Sequence, residues 1–260
     1  MKIATWNING VRARVDTLKT WLMQARPDVV CLQEIKSVDE AFPAEEIEGL
    51  GYNLAVHGEK GFNGVALLSR FPLDSVRRGL PGNSEDHQAR YIEGIVTAAA
   101  RSVRIASIYL PNGNPVDTPK YPYKLAWLER LTAHARLLLA EEMPLVLAGD
   151  YNVIPEPRDV RFPENWITDA LFLPQTRQAF RALVNLGLTD ALRACHAEGG
   201  LYTFWDYQAG AWNKDNGIRI DHLLLSAQAA DLLQGVTIEK HVRGWDKPSD
   251  HVPVMIELEV

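Results

Sequence analysis

Several apolar runs of this chain end abruptly in a side chain that can hold a metal ion or a phosphate. Ile3–Trp6 ends in Asn7, Val29–Leu32 ends in Gln33-Glu34, and Ile105–Ile108 leads to Tyr109, Pro111 and Asn112. Leu145–Ala148 runs into Gly149-Asp150-Tyr151-Asn152, Ile218-Arg219-Ile220 into Asp221, and Ser249-Asp250-His251 precedes the last apolar run. Strand ends on a rigid sheet can converge within a few ångströms, which is the preorganisation catalysis needs. A carboxylate set against an apolar run is costly unless it is paired or bound to a metal. Taken singly, Asp and Asn after a strand are ordinary turn formers, Asp250-His251 reads as a cap and a surface histidine, and Tyr109 as a buried aromatic with its hydroxyl satisfied. Glu34 resists that reading, because Glu is not a favoured turn residue. Recurrence at strand ends is what points to a site.

The donor types narrow the chemistry. The chain has 7 histidines but no pair at zinc-ligand spacing, and it lacks a GxSxG elbow, a P-loop and a GxGxxG turn. What remains is rich in oxygen: Glu34, Asp150, Asp221 and Asp250 with Asn7 and Asn152. Hard oxygen ligands suit Mg²⁺ or Mn²⁺, and Mg²⁺ usually works with one or two carboxylates plus substrate phosphate oxygens. One histidine, His251, able to change charge near neutral pH, completes a hydrolytic set. The implied reaction class is metal-assisted phosphoester hydrolysis.

Composition agrees with an enzyme rather than a nucleic-acid coat. The 27 basic and 33 acidic residues leave a formal charge of −6, so a polyanion would have to meet a local basic patch, a cation, or both. Hydrophobic residues at 47% and charged ones at 23% exclude disorder, collagen and coiled coil. No apolar run is long enough to cross a bilayer, and Ile3-Ala4-Thr5-Trp6 is too short for a secretory core. Cys31 and Cys195 have no partner at redox or metal spacing, as in a reducing compartment. A cytoplasmic monomer with no membrane partner is expected.

These side chains need elements to position them. Val15, Leu18, Leu22 and Ala25 share a helical face that stops at Pro27; Leu125, Leu128, Leu131, Ala135 and Leu138 mark a longer helix, and Phe180, Leu183 and Val184 a third, closed by Gly187. Between them lie β-rich runs at Ile3–Trp6, Val29–Gln33, Tyr52–Val56, Val65–Ser69, Tyr91–Thr97, Val103–Leu110 and Leu145–Ala148. Three more follow at Ile218–Ser226, Val236–His241 and Val252–Val260. Some alternate with helices and others follow through turns, so two packed sheets with helices outside are predicted, in one domain over 1–260. The proline-rich stretches Pro111–Pro122 and Pro155–Pro174 each follow a strand with a polar end, which favours functional rims.

The set Trp6-Asn7-Ile8-Asn9-Gly10, Leu32-Gln33-Glu34-Ile35-Lys36, Gly61-Phe62-Asn63-Gly64-Val65-Ala66, Tyr109-Leu110-Pro111-Asn112, Gly149-Asp150-Tyr151-Asn152, Arg219-Ile220-Asp221 and Ser249-Asp250-His251 resembles the exonuclease III type of AP endonuclease, in the family's order. The resemblance implies a four-layer α/β sandwich, two packed mixed β-sheets flanked by helices, of the endonuclease/exonuclease/phosphatase superfamily. It implies cleavage of DNA 5′ to an abasic site to leave a 3′-hydroxyl, with 3′-5′ exonuclease and 3′-end-cleaning work, on duplexes with abasic sites or blocked 3′ ends. By motif, Glu34, Asn7, Asp250, Asp150 and Asn152 would surround Mg²⁺, with Mn²⁺ as a substitute. Asp150 would activate water, Asp221 would fix His251 against the phosphate, and Tyr109 and Asn112 would bind the scissile phosphate. Phe204, Trp205 and Ile218 would form the abasic pocket. Lys36, Arg90 and Arg219, with Arg12, Arg14, Lys60, Lys120 and Lys214, are candidates for phosphate contacts.

Four positions depart from the family pattern: Ile35, Tyr151, Ile218 and His222. They bear on pocket shape and on the balance of activities. A phosphoesterase of the same superfamily acting on RNA or a lipid or inositol headgroup is the alternative; such relatives carry His-Leu where this chain has Tyr109-Leu110 and lack the Gly61–Ala66 segment. An inactive binding module would have lost Glu34, Asp150, Asp221 or His251, and all four are present.

Overall fold

Four of the apolar runs, Val29–Gln33, Val65–Ser69, Leu145–Asp150 and Asp221–Leu225, are buried at every residue, which places them inside sheets covered on both faces. The computed structural model describes residues 1–99 and 101–260. In chain order its elements are β1 (Lys2–Asn7), α1 (Val15–Ala25), β2 (Val29–Gln33), α2 (Ala44–Glu48), β3 (Asn53–His57), β4 (Val65–Ser69), β5 (Leu73–Arg78), β6 (Tyr91–Ala98) and β7 (Arg101–Tyr109). They continue with α3 (Lys120–Leu139), β8 (Leu145–Asp150), α4 (Pro174–Val184), β9 (Thr189–Asp190), α5 (Ala191–Cys195), β10 (Asp221–Leu225), α6 (Ala227–Ala230), β11 (Leu233–Ile238) and β12 (Val254–Leu258).

Among the described residues the strands form two sheets of six, ordered β11-β12-β1-β2-β4-β3 and β5-β6-β7-β8-β10-β9. Each is antiparallel but for one parallel pair, β1–β2 and β7–β8, and a crossover helix, α1 or α3, joins the members of each pair. Successive side chains of a strand face opposite ways. Ile3, Val29 and Cys31 therefore enter the core between the sheets, with Ile105, Val146 and Leu223 from the second sheet. Ala4, Val30 and Leu32 face outward under Leu18, Trp21 and Leu22 of α1. On the other side Ala106, Ile108, Leu147 and Leu224 pack under Trp127, Leu128 and Leu131 of α3 and Phe180 of α4. The order is helix, sheet, sheet, helix, the mixed four-layer α/β sandwich anticipated above.

Several elements differ from expectation for identifiable reasons. β5 escapes the apolar reading because it is an exposed, charged edge strand with a bulge at Ser75 (φ 51°). The run expected from Ile218 becomes ladder only at Asp221, since Ile218 instead bridges to Val160 and Phe204. The late strand lies at Leu233–Ile238, and 240–244 coil into a short helical turn. In α3 the inward face runs through Lys124 and Trp127, leaving Leu125 half-buried.

His222 and Tyr151, two departures from the family pattern, sit on the outer face of the second sheet against Phe180, with ring centroids 5.0 and 5.6 Å from it. The His222 ring donates from Nε2 to the Val153 carbonyl (2.9 Å) and accepts at Nδ1 from Arg219 (3.1 Å), which leaves no site for a second proton. Burial first, then the Arg219 charge, push its pKa down to about 4 from 6.5. A neutral form favoured by folding stabilises fully above the ordinary value and is lost as pH falls towards the folded one, here a change of a few kcal/mol. The His222 ring signals should titrate in NMR with a midpoint near 4, with unfolding free energy falling between pH 6.5 and 4; a midpoint above 6 would contradict the buried neutral ring.

Candidate active site

Strand register does most of the assembly. Asn7 pairs with Gln33 across β1–β2, Tyr109 with Asp150 across β7–β8, and Asp150 with Asp221 across β8–β10. The carboxyl ends of both parallel pairs thus open at the same edge of the sandwich. The 249–251 segment is drawn there by Ser249, whose hydroxyl donates to the Asn7 carbonyl (2.7 Å), and by the Trp6 indole, which donates to the His251 carbonyl (3.2 Å).

Glu34 turns out of β2 in the left-handed region (φ 47°), which costs a non-glycine residue about 1–2 kcal/mol. The Gly61–Ala66 motif holds that turn. Ile35 N–H donates to the Gly64 carbonyl (3.2 Å) and Lys36 N–H to the Asn63 carbonyl (3.0 Å). Gly64 (φ 85°) lies so close that a Cβ there would meet Ile35 Cγ1 at 2.4 Å.

The side chains then meet. The buried Asn7 amide donates to Glu34 Oε1 and to Asp150 Oδ2, each at 2.9 Å. Asp150 Oδ1 accepts the Asn152 N–H (2.9 Å), and His251 Nε2 stands 3.7 Å from Asp150 Oδ2. Asp221 Oδ2 holds His251 Nδ1 at 2.9 Å, while its Oδ1 is buried without a partner. Asp150, Asp221 and His251 each offer a ligand atom within 4.8 Å of one another. Asn112 donates to Asn152 Oδ1 (3.1 Å), whose own amide donates to the Leu110 carbonyl (2.9 Å). Asp250 accepts from Asn9 (3.0 Å), and Asn9 also receives the Lys36 ammonium, itself 2.8 Å from Glu34.

Burial and charge tune these groups in opposite directions. Burial raises the Asp150 pKa, Asp221 adds to the effect, and His251 opposes it, for a net increase. Burial would discharge His251, but Asp221 and Asp150 outweigh it and keep the imidazolium. Glu34 is held below the usual carboxylate range: burial acts against this, and the Asn7 hydrogen bond and Lys36 overcome it. Tyr109 stays a phenol, its pKa pushed far up by burial and by Glu34 and Asp150. Asp150 and Asp169 favour the charged form of Lys124, yet burial prevails and brings that buried ammonium down to about 7.

Of the expected residues, Glu34, Tyr109, Asn112, Asp150, Asn152, Phe204, Ile218, Asp250 and His251 line one cavity of about 300 Å³. Asn7 and Asp221 support it from beneath, Lys36 stands beside Glu34, and the Arg90 guanidinium covers the Tyr109 ring at 4.7 Å. Arg12, Lys60, Lys120 and Lys214 are exposed, and Arg14 bonds Tyr207 (3.0 Å). Two expectations fail. Trp205 is fully buried among Tyr202, Trp212 and Val252, because it faces the opposite way from its neighbour Phe204. Arg219 lies between Ile218 and Ile220, which both face the cavity, so its own side chain points away; buried, it pairs with Asp159 (2.7 Å) and Asp190 (2.8 Å) and cannot reach a phosphate. The cavity also takes Asn114, Trp166, Asp169, Leu171, Asp206 and Ile220, which sequence reading missed. The first four belong to the two proline-rich stretches, whose prolines were the available signal.

The profile of the endonuclease/exonuclease/phosphatase family matches residues 4–251. The chain is 34% identical over 266 aligned positions to the exodeoxyribonuclease III of Haemophilus influenzae, covering 99% of this chain and 100% of that one. Among solved structures it is similar to a 3′ phosphatase, NExo, from Neisseria bound to product DNA hairpin (36% identity, TM-score 0.95) and to an AP endonuclease from Archaeoglobus fulgidus (34%, TM-score 0.94), each covered over 100% of both chains. Arg219→Met leaves the buried Asp159 with Arg193 alone and takes the ion-pair partner from the half-buried Asp190, so it should lower unfolding free energy by about 1–3 kcal/mol in urea titration. An unchanged midpoint would return Arg219 to the surface contacts.

Proposed function

This chain belongs to the exonuclease III type of AP endonuclease within the endonuclease/exonuclease/phosphatase family, and we propose from that premise that it hydrolyses the DNA backbone 5′ to abasic sites, leaving a 3′-hydroxyl, and trims blocked 3′ ends. One observation carries the reading: a single asparagine amide joins Glu34 of one sheet to Asp150 of the other, beside the Asp221-held His251, at a cavity of about 300 Å³.

The residues fit a hard divalent cation. The facing donors are oxygens, the carboxylates Glu34, Asp150 and Asp250 outnumber the cations His251 and Lys36 beside them, and Asp221 Oδ1 is buried and orphaned. Glu34, Asp250 and Asp150, with Asn7 and Asn152, would hold Mg²⁺ or Mn²⁺. When bound, the ion supplies Lewis acidity and offsets charge that develops on the phosphate.

The chain's own groups account for the rest. Asp150, made more basic by burial, accepts a proton from the attacking water, and its tie to the Asn152 N–H keeps the carboxylate aimed. Asn152 and Asn112, hydrogen-bonded to each other, orient the water and a phosphate oxygen. The imidazolium of His251 donates from Nε2 to the phosphate, with Asp221 fixing the ring through Nδ1. The Tyr109 hydroxyl steadies the leaving oxygen. An abasic nucleotide offers no base, so recognition rests on backbone contacts and on a pocket that admits a bare sugar. Phe204, Ile218 and Trp166 would supply that apolar wall, and Lys36 beside Glu34 and Arg90 over the Tyr109 ring would contact flanking phosphates.

A labelled duplex with one abasic analogue should be nicked on its 5′ side in Mg²⁺ and left whole in EDTA. No cut, or a cut elsewhere, would sink the proposal. Asp150→Asn should lower turnover by at least about 10²-fold while the duplex still binds; near-normal turnover would remove Asp150 as the base. Glu34→Ala should raise the Mg²⁺ concentration needed for half-maximal activity, and an unchanged requirement would take Glu34 out of the ligand set.

A further inference from the structure

Lys124 is a fully buried amine on the inner face of α3 with no part in the proposed reaction. A Leu or Met at this buried position would avoid the cost of burying a charge. Its hydrogen-bond partners are not carboxylates. It donates to the main-chain carbonyls of Asn112 (2.9 Å) and Asn152 (2.5 Å), residues just beyond the ends of β7 and β8.

We infer that Lys124 is a positioning residue, a buried cross-brace that holds the Asn112 and Asn152 backbones so that their side chains meet over the Asp150 carboxylate. The inference rests on the reading of those two asparagines as water- and phosphate-orienting groups.

The local geometry makes the brace specific. Asn152 is left-handed (φ 47°), and the same residue gives its N–H to Asp150 Oδ1 (2.9 Å) and its side-chain amide to the Leu110 carbonyl (2.9 Å). Lys124 grips the carbonyl side of this turn. A rotation of that peptide would loosen the lysine contact and shift the residue that aims Asp150. On the other strand, the chain after Asn112 lies directly on the lysine stem: a Cβ on Gly113 (φ 91°) would meet Lys124 Cδ at 2.7 Å. The next residue, Asn114, ties that segment to the second proline-rich stretch through Asp169 Oδ1 (3.1 Å) and the Ala170 N–H (3.1 Å). One buried amine therefore sets the spacing of two rim segments that strand pairing does not reach. Charged or neutral, the Lys124 amine has N–H donors for both carbonyls, and in a dry interior such bonds are rigid.

The experiment compares Lys124→Met, which keeps the stem and removes the donors, with Lys124→Arg, which keeps donors, in the full chain. Single-turnover nicking of an abasic duplex should slow roughly 10²-fold in Lys124→Met, with duplex affinity within about threefold of wild type, and Lys124→Arg should recover part of the rate. In an Asn152→Ala background the further effect of Lys124→Met should shrink, since both act on one unit. The side-chain amide NMR signals of Asn112 and Asn152 should move in Lys124→Met, a readout independent of activity. A Lys124→Met rate within about twofold of wild type, a full additive loss on top of Asn152→Ala, or unmoved amide signals would each overturn the inference. Should Lys124→Met fail to fold, Lys124→Gln is measured by the same readouts and judged by the same outcomes. Wild-type protein that leaves the duplex intact would count against the proposed function instead, while the amide signals would still decide the brace.

Discussion

Two carboxylates on different sheets are brought together by one neutral amide, and the rest of the site depends on that contact. Asn7 is buried at the end of β1 and donates to Glu34 and Asp150 at once. Without a donor between them, the two anions would repel across a poorly solvated gap. The contact also records how the sheets are aligned, because Glu34 follows β2 and Asp150 closes β8. A polar seam beneath supports this alignment: Gln33 donates to Ser107 Oγ (3.0 Å), and Ser107 donates to the Leu32 carbonyl (2.9 Å). Thr5 joins this seam by donating its hydroxyl to Gln33 Oε1 (3.2 Å), and apolar packing alone tolerates sliding that such directional bonds do not.

The topology explains why the site opens at one edge. Each sheet contains a single parallel pair, and parallel strands joined by a crossover helix present both carboxyl ends on the same side. Stacking the two sheets brings four such ends together, Asn7, Glu34, Tyr109 and Asp150. The antiparallel neighbours then add their entering residues, Asp221 at the start of β10 and the 249–251 segment ahead of β12. The pairing of Asp221 with His251 is a product of this convergence, since thirty residues separate them and no local rule joins them.

Much of this was legible in the residues themselves. Apolar runs with polar ends located the strands that matter, and the oxygen-rich donor set pointed to a hard cation before any geometry was known. The proline-rich stretches read as rims, and the structure puts Asn114, Trp166 and Asp169 from them in the cavity wall. Asn114 and Asp169 do not stand out in the sequence, because Asn and Asp beside prolines look like any turn. Lys124 was hidden differently: a lysine in an amphipathic helix is ordinarily solvated, and only the packed structure shows its ammonium inside.

The amino-acid sequence by itself determined the type and order of the reactive groups and the strands that carry them, since both follow from local chemistry and period. Tertiary structure decided which member of each adjacent pair serves the cavity. Period-two alternation says that Phe204 and Trp205 face opposite ways, and likewise Ile218 and Arg219, but not which of them faces in. That parity is set by bridges between distant segments, Phe204 to Ile218 and Phe204 to His251, and by the acids Asp159 and Asp190 that draw Arg219 to the other side. These are long-range contacts whose energies exist only once the chain has closed on itself.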